Sequence, residues 1–188
     1  MAEHSAGRPI STPADVLAFW REAGPDRWYV KDEAFDAEIR EKFLPTYQAA
    51  IAGKLGAWEA TPEGALALVV VLDQFPRNMF RGDAKCFAAD PLARATANLA
   101  LKRGYDQDVA ENERAFFFLP FMHSEDAVDQ QRCVELYRAA GDDDGLKHAL
   151  EHADIVRRFG RFPHRNRTLG RTTTPDEQAF LDGGGFKG

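Results

Sequence analysis

Thr61-Pro62-Glu63-Gly64-Ala65-Leu66-Ala67-Leu68-Val69-Val70-Val71-Leu72-Asp73-Gln74-Phe75 decides the fold class. Thr61 is a good helix cap, and Pro62 stands at the first helical position, where a missing N–H costs nothing. Residues 62–75 are apolar on all sides, which marks a buried, central helix. A strand is the competing reading for Ala65–Leu72, and the cap and the alanines favour the helix.

Working outward, the same punctuation recurs. Thr12-Pro13, Asp90-Pro91 and Thr174-Pro175 open further helices, and Gly24, Gly104, Gly141 and Gly160 supply left-handed stops. Thr174-x-x-Glu177 is a capping box, which Thr12-x-x-Asp15 merely resembles. Phe35, Ile39, Phe43, Tyr47 and Ile51 form a helical stripe with a kink expected at Pro45, and Leu92, Ala95, Thr96 and Leu99 form another. Ala115–Met122 packs four phenylalanines around Pro120 and reads as core. From Gly145 to Phe159, one apolar face carries Leu146, Leu150, Ala153 and Val156 or Arg157, and a second carries His148, His152, Ile155 and Phe159. Asp154 and Arg158 are spaced to pair on the third face. A helix buried on two sides lies between neighbours. With no alternating strand pattern or hairpin signal, the chain reads as all-α, an antiparallel helical array of about eight or nine helices.

Composition sets further bounds. The 188 residues fit one domain, placed over 10–182, with flexible termini at 1–9 and 183–188. Apolar content of 44% and charged content of 29% are those of a soluble globular protein. A net charge of −6 and a pI near 5.4 argue against nucleic-acid binding, which needs a basic face. The longest apolar run, Ala65–Leu72, is too short to span a bilayer, and Met1–Ser11 lacks a signal-peptide pattern. Cytoplasm is the expected compartment. Cys86 and Cys133 are expected as reduced, buried thiols, and neither a metal nor a cofactor is indicated. Oligomeric state is not encoded in these features.

Two segments echo each other, Phe75-Pro76-Arg77-Asn78 and Phe162-Pro163-His164-Arg165-Asn166, each placed just after a helix stops. Arg157–Arg171 holds six arginines, one histidine and no acid, a local departure from the acidic whole. Guanidinium groups recognise carboxylate or phosphate bidentately, and turns are where functional side chains gather. Arg77, Arg81, Arg161 and Arg165 are therefore read as a clamp for an anionic small molecule or an acidic peptide group. Gln74, Asn78 and Asn166 would orient it, and Asp73, at the end of the buried helix, would fix the arginines. Arg158 is given to a surface pair, and Arg167 and Arg171 are set aside. In His123-Ser124-Glu125-Asp126, Ser124 reads as a helix cap followed by first-turn acids. An alternative is a general acid/base enzyme using His123 or His164 with Asp73, Glu125 or Asp126. A third reading is an interaction scaffold whose polar motifs are purely structural. His148-Ala149-Leu150-Glu151-His152 matches a zinc-peptidase pattern, but Glu151 falls on a different stripe from the histidines, so it is read as a chance match.

Three long motifs carry a family resemblance. They are Asp73-Gln74-Phe75-Pro76-Arg77-Asn78-Met79-Phe80-Arg81-Gly82, then Leu119-Pro120-Phe121-Met122-His123-Ser124-Glu125-Asp126, then Arg158-Phe159-Gly160-Arg161-Phe162-Pro163-His164-Arg165-Asn166 with Leu169-Gly170-Arg171. Together, from Val16 to Phe186, they resemble the mostly bacterial domain-of-unknown-function 924 family. The resemblance implies an all-α, tetratricopeptide-like fold and no particular activity. Because no 34-residue repeat or repeat consensus is present, the likeness to tetratricopeptide proteins is architectural.

Overall fold

Residues 62–79 run on as continuous helix, but the helix is not regular. In the computed structural model, which describes residues 9–186, α4 (Pro62–Val69) is capped by the Thr61 hydroxyl, which accepts from the Gly64 N–H at 3.1 Å. A widened π turn follows at Val70–Gln74, and α5 (Phe75–Met79) continues from it. Pro76 is the physical reason. It has no N–H, and in a regular helix its ring would collide with the carbonyl of Leu72. The wider turn just ahead, where the Phe75 N–H reaches the Val70 carbonyl, relieves that conflict. The expected exit turn at Phe75–Asn78 is therefore helix, and Asp73-Gln74 lies inside the run instead of closing it.

All described elements are helical, with no strand among the described residues. Seven helices have eight residues or more and four are single turns, bracketing the expected eight or nine. No helix among the described residues is long and apolar enough to cross a membrane. Contacts gather the chain into two compact units. One comprises residues 9–81 together with 85–117, the other 82–84 together with 118–186.

In the first unit, α1 (Pro13–Ala23), α2 (Pro25–Trp28), α3 (Glu33–Ile51), α6 (Asp90–Lys102) and α7 (Glu111–Arg114) accompany the central run. Its core is aromatic: Phe43 meets Phe75 at 4.7 Å between ring centroids, and Trp28 meets Phe116 at 4.9 Å. The Trp28 indole N–H donates to the Trp20 carbonyl at 2.7 Å, so its polar edge is satisfied inside the core. Three local expectations are corrected. Thr12 and Asp15 form a full capping box, because the shorter aspartate still accepts from the Thr12 N–H at 2.8 Å. Asp90 is the first residue of α6, not its cap. The buried stripe of α6 is Ala93, Thr96, Ala97 and Ala100, with Leu92 43% exposed, since small side chains let α6 lie close to α4. Helix α3 continues through Pro45 as one 19-residue element.

The second unit contains α8 (Leu119–Met122), α9 (Ala127–Ala140), α10 (Asp143–Phe159) and α11 (Pro175–Asp182). Left-handed Gly141 ends α9, and α10 folds straight back against it. Gly145 is required there, because a Cβ would stand 2.2 Å from the Tyr137 ring. Two readings of this region change. The α10 face bearing Leu150 is not covered, Leu150 being 48% exposed, and the buried stripe is Ala149, His152, Ile155 and Val156. The cap of α9 is Asp126, which accepts from the Val128 and Asp129 N–H groups at 2.8 and 3.1 Å. Ser124 stands two residues earlier, accepting from the Asp126 N–H and donating to Asp129. Of the termini expected to be flexible, residues 1–8 and 187–188 lie outside the described residues.

Gly64 gives a test of the packing around α4. Helix propensity alone favours alanine there by about 1 kcal/mol. A Cβ would, however, meet the Trp58 carbonyl oxygen at 2.2 Å, and that contact is backbone. Gly64→Ala is expected to lower stability by about 1–3 kcal/mol in denaturant unfolding, the opposite of the propensity prediction.

Candidate functional site

The first motif is used to tie helices together. Asp73 is fully buried in the π turn and accepts from the Gln74 amide at 2.5 Å. Arg77 donates to the Asp73 carbonyl at 2.6 Å and pairs with the Asp73 carboxylate at 3.3 Å and with Asp90 at 3.1 Å. Burial opposes the Arg77 charge, and Asp73 and Asp90 more than offset it, so its pKa lies above the ordinary value. Arg81 grips Asp36 of α3 with two hydrogen bonds of 2.7 and 2.9 Å, and Asn78 donates to the same carboxylate at 2.8 Å. The central run is thus tied to α6 and α3 by guanidinium–carboxylate pairs.

The second motif, in the other unit, divides into two clusters. One surrounds Glu177, which is 2% exposed. Arg161 donates to both its oxygens, at 2.6 and 2.9 Å, and Asn166 adds a bond of 3.1 Å. The Thr174 N–H completes the capping box at 2.8 Å. The Arg161 hydrogen bonds, with help from Thr174 and Asn166, outweigh desolvation and hold the Glu177 carboxyl down at about 2.

The other cluster surrounds Glu125. This carboxylate accepts from the Phe162 N–H at 2.8 Å and takes both ends of Arg171, at 2.7 and 2.9 Å. Burial raises the Glu125 pKa, but Arg171 and the Phe162 N–H pull it below the ordinary value. Arg165 is buried, its guanidinium 4.6 Å from the centre of the Phe162 ring, and its charge also acts on Glu125. His164 sits on the single 3₁₀ turn 163–165. Burial first, then the charges of Arg165, His152 and Arg171, push its pKa down to about 4 against the pull of Glu125. His152 shares this field and, mainly through burial, is also lowered to about 4. Buried polar atoms of this stretch that make no hydrogen bond include His164 Nδ1, Asn166 Oδ1 and Arg171 Nε. Few buried polar atoms in folded proteins go unbonded, so their gathering within eight residues singles this stretch out.

Sequence reasoning excludes Arg171 from the site and reads His152 only as a member of an apolar face and of a chance zinc pattern, yet both belong to this cluster. Arg171 reaches Glu125 across 46 residues, which no local spacing reveals. Arg158 does make a surface pair, with Asp154 at 3.7 Å. Of the proposed acid/base partners, Asp126 caps α9, Glu125 serves Arg171 and Phe162, and Asp73 serves Gln74 and Arg77. His123 is half-buried, and its charge acts on His152. In His148–His152, His148 and Glu151 are exposed, while His152 is buried with Nδ1 at 2.8 Å from the His148 carbonyl. Among the described residues no group of three or more His, Cys, Asp or Glu is arranged to hold a metal.

A family model described as a bacterial protein of unknown function, DUF924, matches residues 16–185. The chain belongs to this family. A solved structure of a protein of unknown function from Agrobacterium tumefaciens is 50% identical and superposes with a TM-score of 0.88. The match covers 91% of this chain and 97% of that one. No curated protein matches the sequence. The DUF924 chain is thus all-helical by both sequence and structural likeness.

Glu177 makes a prediction about acid stability. Its folded pKa lies below the ordinary 4.5, so its contribution is complete above about pH 4.5 and fades as the pH falls toward 2. Glu177→Gln is expected to lower Tm at pH 7, with the gap to wild type narrowing between pH 4.5 and pH 2.5 in circular-dichroism melts. A gap that stays constant across this range would show that the carboxylate charge is not what matters.

Proposed function

We propose that this DUF924 protein binds an anionic group, a phosphate or carboxylate of a small molecule or acidic peptide, at the second motif. His164, Arg165 and Arg171 receive it. The observation that carries this reading is the pair of buried nitrogens, His164 Nδ1 and Arg171 Nε, that make no hydrogen bond while standing in a field of guanidinium charge. An anion accepting from both would satisfy them, and charge-assisted bonds of this kind are the stronger class. The first motif is left out of the ligand set, since Arg77, Arg81 and Asn78 spend their donors on Asp73, Asp90 and Asp36. Arg161 and Asn166 likewise serve Glu177 and shape the turn around the ligand.

Proton uptake accompanies binding on this reading. An anion beside His164 favours the imidazolium, so the bound pKa lies above the free value of about 4. Affinity then falls as the pH rises through the bound pKa. Calorimetry with inorganic phosphate and with citrate, run at pH 6 and pH 8, tests this. Binding is expected to be tighter at pH 6, to weaken about tenfold or more in His164→Ala, and to persist in Arg81→Gln. Absence of binding by either anion, or equal binding by His164→Ala, would sink the proposal.

A further inference from the structure

The segment after α11 ends in an aromatic ring seated on the two neutral histidines. Phe186 lies 4.5 Å from the His152 ring and 5.2 Å from the His164 ring, centroid to centroid. It packs on the small core of Ile155, Val156 and Phe162, beside Phe159 and Phe180. Gly183-Gly184-Gly185 leads into it. Gly184 has a φ of +85°, and a Cβ on Gly185 would stand 2.6 Å from the Phe180 ring and carbonyl, so the chain can turn back across Phe180 only as glycine. One backbone bond holds the turn, from the Gly185 N–H to the Phe180 carbonyl at 3.0 Å.

We infer that residues 183–186 form a strap over the His152–His164 pair, and that its opening admits solvent and anions to His164. The strap has the physical character of a gate. Its glycines offer no side chain to anchor it and gain conformational entropy on release. The ring it carries is half-buried, whereas Phe162 beneath it is fully buried and stays in place. A polar atom of the His164 ring that it contacts, Nδ1, is sealed from water. The charges facing the pair are Arg165, Arg171 and Glu125 around His164, with His123, His148 and Arg165 around His152. All remain when the ring leaves, so a change in His164 on opening reports solvation.

The ligand half of this inference rests on the anion reading above, whereas the access half does not. The test is an NMR titration of His164 in wild type, Phe186→Ala and Phe186→Leu, with calorimetric binding of inorganic phosphate to each. In Phe186→Ala the His164 pKa is expected to rise from about 4 by one unit or more toward 6.5, and phosphate to bind several-fold tighter. Phe186→Leu, which keeps an apolar cover, stays near wild type. An unchanged His164 pKa in Phe186→Ala would overturn the strap. A raised pKa with equal phosphate affinity in all three proteins would overturn the gate. A raised pKa with no phosphate binding in any protein would uphold access control and overturn the anion reading. Hydrogen exchange in the wild type gives a check free of mutation. The Gly185 amide should exchange far faster than the amides of α10, and equal protection would also overturn the strap.

Discussion

A carboxylate buried in protein must recover from its neighbours the hydrogen bonds that water would have given it. Among the described residues the buried acids, Asp73, Asp90, Glu113 and Glu177, and several half-buried ones are met by an arginine, often with a backbone N–H or an amide as well. Glu113 is gripped by Arg21 at 2.6 and 3.0 Å, Asp36 by Arg81 and Asn78, Glu177 by Arg161, Asn166 and the Thr174 N–H, and Glu125 by Arg171 and the Phe162 N–H. The arginine–carboxylate pairs among these join residues 16 to 92 apart in the chain, so they set which helices lie together. The requirement also explains why most of the conspicuous arginines are not surplus charge. They neutralise acids placed far away in sequence.

What the sequence shows, it shows through local rules. Thr12, Thr61 and Thr174 cap the helices their spacing indicates, and Gly141 and Gly160 end helices in the left-handed conformation. Burial of residues 64–76 follows from an apolar surface with no polar side to expose. Errors arise where a local rule competes with packing. The α6 stripe is displaced by one position because alanines permit closer approach than Leu92. Ser124 has the chemistry of a cap, but Asp126, two residues later, has the extended backbone and the two accepted bonds. On α10, hydrophobicity at Leu146 and Leu150 fits a buried face equally well, yet Leu150 is exposed, and only the neighbour's position decides that.

The candidate site is legible to a smaller degree. Composition points to the arginine-rich stretch, and the unbonded His164 Nδ1 and Arg171 Nε do lie in it. The roles within the stretch are not readable from spacing. Arg161 and Arg165 stand four apart, yet one is committed to Glu177 and the other lies over the Phe162 ring. Aromatic neighbours make the difference at the histidines. Phe162 and Phe186 remove water from His152 and His164, and a group that is ordinarily half-protonated near pH 6.5 becomes a neutral hydrogen-bonding element.

The widened turn at Val70–Gln74 has a consequence for how this family can change length. Such a turn holds one residue more than a regular α-helical turn, and by widening it absorbs the rotation of about 100° that an extra residue would otherwise impose on everything after it. Arg77, Asn78 and Arg81 face Asp90 and Asp36 with the extra residue taken up in this way. Tightening the turn into a regular ladder with every residue kept would swing all three side chains away from their acids, whereas loss of one residue from the turn would leave them facing the same way. The proline that demands the wide turn and the carboxylates met beyond it are therefore parts of one register.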